Sequence, residues 1–310
     1  FDVYQRRNFD EIAPTVTQLY GTAYANVGSM KSWGEELSIS STNVKTNDFS
    51  WQTSLIYSHN RTKITDLYNQ GRVIDLVQGN GFAKQGYPAR ALFSIPFVGI
   101  NEKGNPVCIN EKGQATVGDL NFQERNNTDY LIYEGSTDPI YNGSLGNTFN
   151  YKGFHLNLFL TYAFGNVVRL DPVFKAKYND LTSMTHNFKN RWMQPGDENV
   201  TNVPGVVSRY EYEQNRTLLS TAYNAYNYTS VRTAKGDFIR LKEISLAYDF
   251  PHRWLENSPV NNISLKLQAT NLMLLYADKK LNGQDPEFMN AGGVASPMPK
   301  QFTLTLKLGL

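Results

Sequence analysis

The chain has 310 residues, a formal net charge of +2 and a mean hydropathy of −0.46, and on bulk numbers it would pass for an ordinary soluble protein of one or two domains. The near-balanced charge offers neither a basic stripe for nucleic acid nor a contiguous polybasic membrane-surface segment, and a single cysteine, Cys108, excludes a disulfide framework or a thiolate metal site within the chain. No eighteen apolar residues run together, which excludes a helical membrane span; a transmembrane barrel alternates apolar and polar positions and stays open.

The opening residues, Phe1-Asp2-Val3-Tyr4, carry neither a start methionine nor a signal peptide and read as the interior of a longer chain, with a partial strand over residues 1–6. Trp33, Leu37 and Ile39 form the apolar side of the next strand. A short turn at Lys45-Thr46-Asn47 leads into Phe49, Trp51, Leu55 and Tyr57, which alternate with Ser50, Gln52, Ser54 and Ser58. Residues 99–113, with Gly104-Asn105-Pro106 and Lys112-Gly113, read as a small hairpin inside a long connection. The strongest pattern follows: Tyr141, Leu145, Phe149 and Tyr151 alternate with polar residues up to a tight turn at Lys152-Gly153. The chain then returns through Phe154, Leu156, Leu158, Leu160, Tyr162 and Phe164, with Phe159 the one large residue on the other face. Ten steps of strand give roughly 33 Å, or about 23–25 Å after a ~45° tilt, which matches an apolar band ~25 Å tall.

After Asp171-Pro172, the residues Phe174, Tyr178, Leu181, Met184 or Thr185, Phe188 and Trp192 fall at helical spacing, so a helix is expected there, stopped by Pro195-Gly196. From Asp237 to Phe250 the apolar face switches between Leu241 and Ile244, and this phase slip at Lys242-Glu243 predicts a β-bulge. Ile263, Leu265, Leu267 and Ala269 define a further strand, and Phe302, Leu304, Leu306, Leu308 and Leu310 the last.

Connection lengths sort by end. Short turns near residues 45–47, 152–153 and 251–261 alternate with long segments at roughly 7–30, 61–140, 167–236 and 274–299. That asymmetry predicts an all-β, antiparallel transmembrane barrel segment of about eight strands, with long extracellular loops and apolar faces turned to lipid. A soluble β-rich sandwich has no reason to place every long loop at one end.

Several stretches resemble the SusC/RagA family of TonB-dependent outer-membrane transporters: residues 2–10, Met30-Lys31-Ser32-Trp33-Gly34-Glu35-Glu36-Leu37, Gly86-Tyr87-Pro88, Gly118-Asp119-Leu120, Ala269-Thr270-Asn271-Leu272 and Pro299-Lys300-Gln301-Phe302. The most specific is Gly236-Asp237-Phe238-Ile239-Arg240-Leu241-Lys242-Glu243-Ile244-Ser245-Leu246-Ala247-Tyr248. The resemblance implies a barrel of 22 strands, of which this chain would be the C-terminal part, with a plug domain and TonB box elsewhere in the protein. It also implies active import of a bulky nutrient, an oligosaccharide or peptide, with a SusD-like surface lipoprotein as lid. The sequence departs from the family at Leu310, where an aromatic residue is usual.

Many members carry a calcium-like loop after the Gly-Asp pair; here the matching stretch retains oxygens at Glu124, Asn126 and Asp129, but Arg125 adds positive charge, so calcium is doubtful and no other cofactor is implied. His59, His155, His186 and His252 lack metal-ligand spacing, no nucleophile and base can be paired, and no enzyme is predicted. Tyr210, Tyr212, Tyr223, Asn224, Tyr226, Asn227 and Tyr228 crowd one loop and, with Trp192, are the candidates for stacking on sugar rings or binding peptide. A secreted glycan-binding module would use the same residues and is the alternative.

Overall fold

The computed structural model describes residues 1–17, 21–68, 70–79, 84–179, 181, 183–256, 259–289 and 299–309; the side chains of 12–17 and 21–27 are not among those described. Eight strands hydrogen-bond in chain order into one sheet: β1 (Asp2–Thr17), β2 (Gly21–Lys45), β3 (Phe49–Leu67), β4 (Tyr141–Tyr151), β5 (Phe154–Phe164), β6 (Phe238–Asp249), β7 (Asn262–Ala277) and β8 (Gln301–Gly309). Every neighbouring pair is antiparallel. No helix among the described residues is long and apolar enough to cross a membrane.

Register turns the sequence alternation into two continuous surfaces. On one face Val44, Trp51, Phe149, Leu156, Leu246, Leu267 and Leu304 stand side by side across β2–β8. On the other, Gln52, Thr148, Asn157, Ser245, Gln268 and Thr303 form a polar row. The apolar face is open: Phe302 is 71% and Leu304 69% exposed, whereas a sandwich would bury them. The remaining sheets among the described residues have only two or three strands and belong to the loops. Aromatics bracket the band, with Phe49, Tyr151, Phe154 and Tyr248 at the short-turn end and Tyr57, Tyr141, Tyr162, Phe164 and Tyr276 at the long-loop end. Asn147, an amide within the band, accepts from Trp51 Nε1 at 2.9 Å and Thr53 Oγ1 at 2.8 Å, which satisfies a carbonyl that lipid cannot, and the Thr53 hydroxyl in turn accepts from Asn43 Nδ2.

This geometry gives a direct expectation. Leu158→Arg, at the middle of the apolar band, will cost about 2–4 kcal/mol of barrel stability, while Thr303→Arg on the polar face will cost little; urea unfolding of the full-length chain in lipid vesicles measures both.

The turns follow their chemistry. Lys152 (φ 44°) and Gly153 (φ 88°) make a two-residue connection with both residues left-handed, the primed turn that suits strand twist. The expected bulge is present, since Leu241 and Glu243 face Leu160 and Phe159 with Lys242 inserted between them. Opposite, β7 bulges as well and places Asn271 at φ 53°, a conformation asparagine tolerates.

Two expectations need correction. Residues 7–30 are not a loop: β1 and β2 continue pairing as a ribbon to Thr17↔Gly21, and β3 extends likewise to Leu67. Outside the membrane both faces of such a ribbon meet water, so the period-2 signal is lost while the ladder persists. Nor do the described residues of 172–192 form the expected helix. Its described residues are irregular apart from a 3₁₀ turn at His186–Asn190, and the α-helices among the described residues of that loop are α2 (Arg209–Gln214) and α3 (Arg216–Asn227); α1 (Val73–Gln78) lies in the preceding loop. The Phe174 N–H donates to Asn227 Oδ1 and its carbonyl accepts from Asn227 Nδ2, so the backbone groups a helix would use are held by a buried side-chain amide. Leu310 lies outside the described residues.

Candidate substrate-facing loop surface

The β3–β4 and β5–β6 connections fold together into one roof at the long-loop end. A shared core joins Val73, Leu76 and Val77 of α1 to Ala91, Phe93, Ile95, Cys108 and Leu131 of the first loop and Ala225 and Tyr228 of the second. Helix α3 exists because Leu219, Ala222, Tyr223 and Tyr226 recur at i, i+3, i+4 and i+7 and are all buried. Burial pushes the Cys108 thiol up to about 12 and leaves it inert at neutral pH. Arg169, on a short strand (Val167–Arg169) paired with Thr233–Lys235, runs into this core. Its guanidinium donates to the carbonyls of Phe93 (2.6 Å), Thr229 (2.8 Å) and Val77 (3.2 Å) and to Ser94 Oγ (3.0 Å), and burial lowers its pKa to about 10. Arg232 reaches the Asp171 carbonyl and stacks over Phe174. The two arginines thus pin the loops.

Of the six aromatic candidates, three turn inward. Tyr223 and Tyr226 are only 1% and 2% exposed; the Tyr223 hydroxyl donates to the Gly205 carbonyl at 2.6 Å, and Tyr226 meets Phe174 edge-on. Tyr228 is buried against Phe122 with its hydroxyl accepting from Gln78, and Asn227 holds Phe174. These residues build the roof, and the expectation that they stack on ligand is corrected: packing already covers their rings. Trp192 is half-buried over Gly104, where a Cβ would run into the indole, and donates to Glu198 Oε2 at 3.0 Å. Tyr212 is half-buried beside Ser220 and Lys177. Tyr210 and Asn224 are exposed.

The calcium-like stretch is used by the protein itself. The carbonyls of Glu124 and Phe122 accept the Val73 and Ile74 N–H groups at the start of α1. Glu124 Oε1 accepts the N–H groups of Arg125, Asn126 and Asn127, which lowers its pKa. Asn126 and Asp129 do line one cleft of about 160 Å³, but the Lys84 ammonium sits 2.8 Å from Asp129 and holds its carboxyl below the usual range. Asp129 is thus paired with an ammonium and Glu124 with backbone N–H groups, contacts that a cation held by Glu124, Asn126 and Asp129 would have to displace.

What sequence reading missed is an open concavity of about 600 Å³ in the second loop, lined among others by Asn187, Asn190, Asn202, Arg191, Met193 and Val200. Val200 and Met193 are 84% and 67% exposed, and Val206, Tyr210 and Leu218 of the same stretch are also exposed. An amide-rich hollow beside open apolar side chains suits a ligand or partner with both polar and apolar groups. Periodicity gives no warning of it, because these residues lie in irregular backbone.

Comparison with known proteins fits this architecture. No protein-family model matches the chain. TonB-dependent receptor SusC of Bacteroides thetaiotaomicron is 24% identical over 323 residues, covering 98% of this chain and 29% of SusC. TonB-dependent receptor P26 of Formosa agariphila is 26% identical over 316 residues, covering 93% and 30%. The solved RagAB peptide transporter superposes with a TM-score of 0.71 at 21% identity, over 99% of this chain and 32% of that one. Over nearly its whole length the chain is similar to TonB-dependent receptors of the SusC/RagA type. It spans less than a third of the length of the SusC/RagA relatives it matches, and its sheet is a piece of a SusC/RagA-type barrel wall in the outer membrane.

Proposed function

We propose that this chain is the C-terminal part of the barrel of a TonB-dependent importer of a bulky nutrient, an oligosaccharide or a peptide, working with a plug domain carried elsewhere in the protein and a SusD-like lipoprotein that closes over the loops. The observation that carries the reading is the co-folded roof at one end of a lipid-facing sheet, with an open apolar and amide-rich surface at residues 187–218. Such a roof sits where cargo enters and where a lid would rest, and asparagine amides with Arg191 can hydrogen-bond either peptide groups or sugar hydroxyls. Energy coupling belongs to the whole protein. Calcium has no part in this reading, and no catalysis is assigned.

The test uses the full-length chain in its own outer membrane and a panel of fluorescent oligosaccharides and oligopeptides. Met193→Ser combined with Val200→Ser and Tyr210→Ser will lower uptake or lid capture at least about tenfold with an unchanged amount of folded protein, as removal of a few apolar anchors does at interfaces. Unchanged uptake of every probe and unchanged lid capture would remove this surface from the import pathway.

A further inference from the structure

Just outside the upper aromatic rim, the register of β1–β3 assembles a basic patch on the lipid-facing side. Tyr57 belongs to the rim, and Leu37 pairs with it. Four and six residues further along β3, on the same face, stand Arg61 and Lys63. Arg61 pairs with Trp33, which pairs with Gln5, and Lys63 pairs with Lys31, which pairs with Arg7. No bulge falls between Leu55 and Ile64 in this ladder, so the face is the one that carries the apolar band below. Arg7, Arg61 and Lys63 are exposed and Lys31 is half-buried, its ammonium 5.7 Å from the centre of the Trp33 ring. None of the four makes an ion pair with another described residue; the nearest acidic residues on this face are Glu35, one row below Trp33, and Asp66, which pairs with Ser29 one row above Lys31.

We infer that this patch binds the phosphorylated sugar headgroup of an outer-leaflet glycolipid. Along a strand tilted ~45°, Arg61 and Lys63 stand about 9 and 14 Å beyond the rim, and their flexible stems reach several ångströms back toward it. That is the layer where lipid headgroups lie. Long loops face outward, so the headgroups there are those of the outer leaflet. Four cations against two carboxylates favour an anion, arginine forks suit phosphate oxygens, and a tryptophan at this depth marks the interface. Arg61 also lines a cleft with Pro88, Tyr133 and Asp138 at the edge of the roof, but Arg7, Lys31 and Lys63 stand with it on the outer wall of the barrel, where a ligand in water has no reason to settle. No run of basic residues betrays the site in the sequence, because it is assembled from three strands.

The inference rests on the barrel orientation given above, and the test separates the two. Lys63→Cys in the full-length chain will react with a membrane-impermeant maleimide on intact cells; absence of labelling would overturn the orientation, and with it the assignment of the leaflet. For the site itself, native mass spectrometry of the detergent-extracted protein will show the phosphorylated glycolipid retained by the unmodified chain. The Arg7→Gln, Lys31→Gln, Arg61→Gln, Lys63→Gln variant will retain at least about tenfold less, and a Lys45→Gln, Lys152→Gln control at the opposite end will retain the usual amount. In rebinding, the enzymatically dephosphorylated glycolipid will bind at least about tenfold more weakly than the intact one, and inorganic phosphate alone will not displace it. Equal retention by the four-site variant, equal binding of the dephosphorylated lipid, or displacement by phosphate overturns the proposal. Should the four-site variant fail to fold, the rebinding comparison on the unmodified chain decides.

Discussion

Arg169→Met will release the two loops of the roof from one another while the eight-stranded sheet stays paired. The guanidinium supplies hydrogen bonds to carbonyls at the end of α1 (Val77), on the strand Ala91–Ser94 (Phe93) and just after α3 (Thr229), and to the fully buried Ser94 hydroxyl. Methionine matches the stem but strips the donors from a dry core, and each buried group left without its partner costs about 1–3 kcal/mol. Lysine will rescue only in part, because one ammonium cannot span three carbonyls and a hydroxyl from separate elements. Hydrogen exchange on the full-length protein reads this directly: the Ile95 amide, which donates to the Tyr228 carbonyl across the two loops, will exchange orders of magnitude faster, while β5 and β6 amides keep their protection. Equal protection of Ile95 in the variant would show that hydrophobic packing alone holds the roof.

The roof also shows where sequence reading stops. The wall was legible because each of its rules is local: Lys152-Gly153 is a turn by its own backbone chemistry, and the slip at Lys242 is a bulge because the apolar period changes there. Helix α3 was missed although Leu219, Ala222, Tyr223 and Tyr226 carry the helical period. Its Thr, Ser and Asn residues are weak helix formers, and the tyrosines attract a reading as ligand contacts. The false helix over 174–192 had the better period. It lost because Phe174 and Asn227, far apart in the chain, satisfy one another, a long-range fact that no local window contains. The burial of Tyr223, Tyr226 and Tyr228 was illegible for the same reason: tyrosine count says nothing of which rings face inward. The exposed residues Met193 and Val200 carry no pattern at all.

The least legible feature of the lumen wall supports the largest remaining prediction. Arg240, in the block most like the SusC/RagA family, stands in the polar row with Ile56, Ser144 and Thr161 and is buried beneath the β7–β8 connection. Its Nη2 lies 2.6 Å from Asp285 Oδ1 and 3.0 Å from Glu287 Oε2, with the Arg240 and Asp285 side chains 7% and 8% exposed. Asp285 also caps the 3₁₀ turn Pro286–Phe288 by accepting the Glu287 N–H. One arginine therefore ties a loop segment against the inside of the wall, and Leu281 of that segment joins Val168, Leu170 and Ala234 in a second small core. Arg240→Met will leave two carboxylates crowded and uncompensated, at a cost of about 3–5 kcal/mol, and residues 278–288 will leave the wall. The double variant Arg240→Met, Asp285→Leu removes charge from both sides. It will recover most of that loss, short by the ~1 kcal/mol that the lost cap contributes. Hydrogen exchange at Leu281 and Phe288 in both variants provides the cycle: fast exchange in the single and slow exchange in the double identify the buried charges as the cause, whereas fast exchange in both would mean that the Asp285 cap, rather than the ion pair, sets the position of the loop.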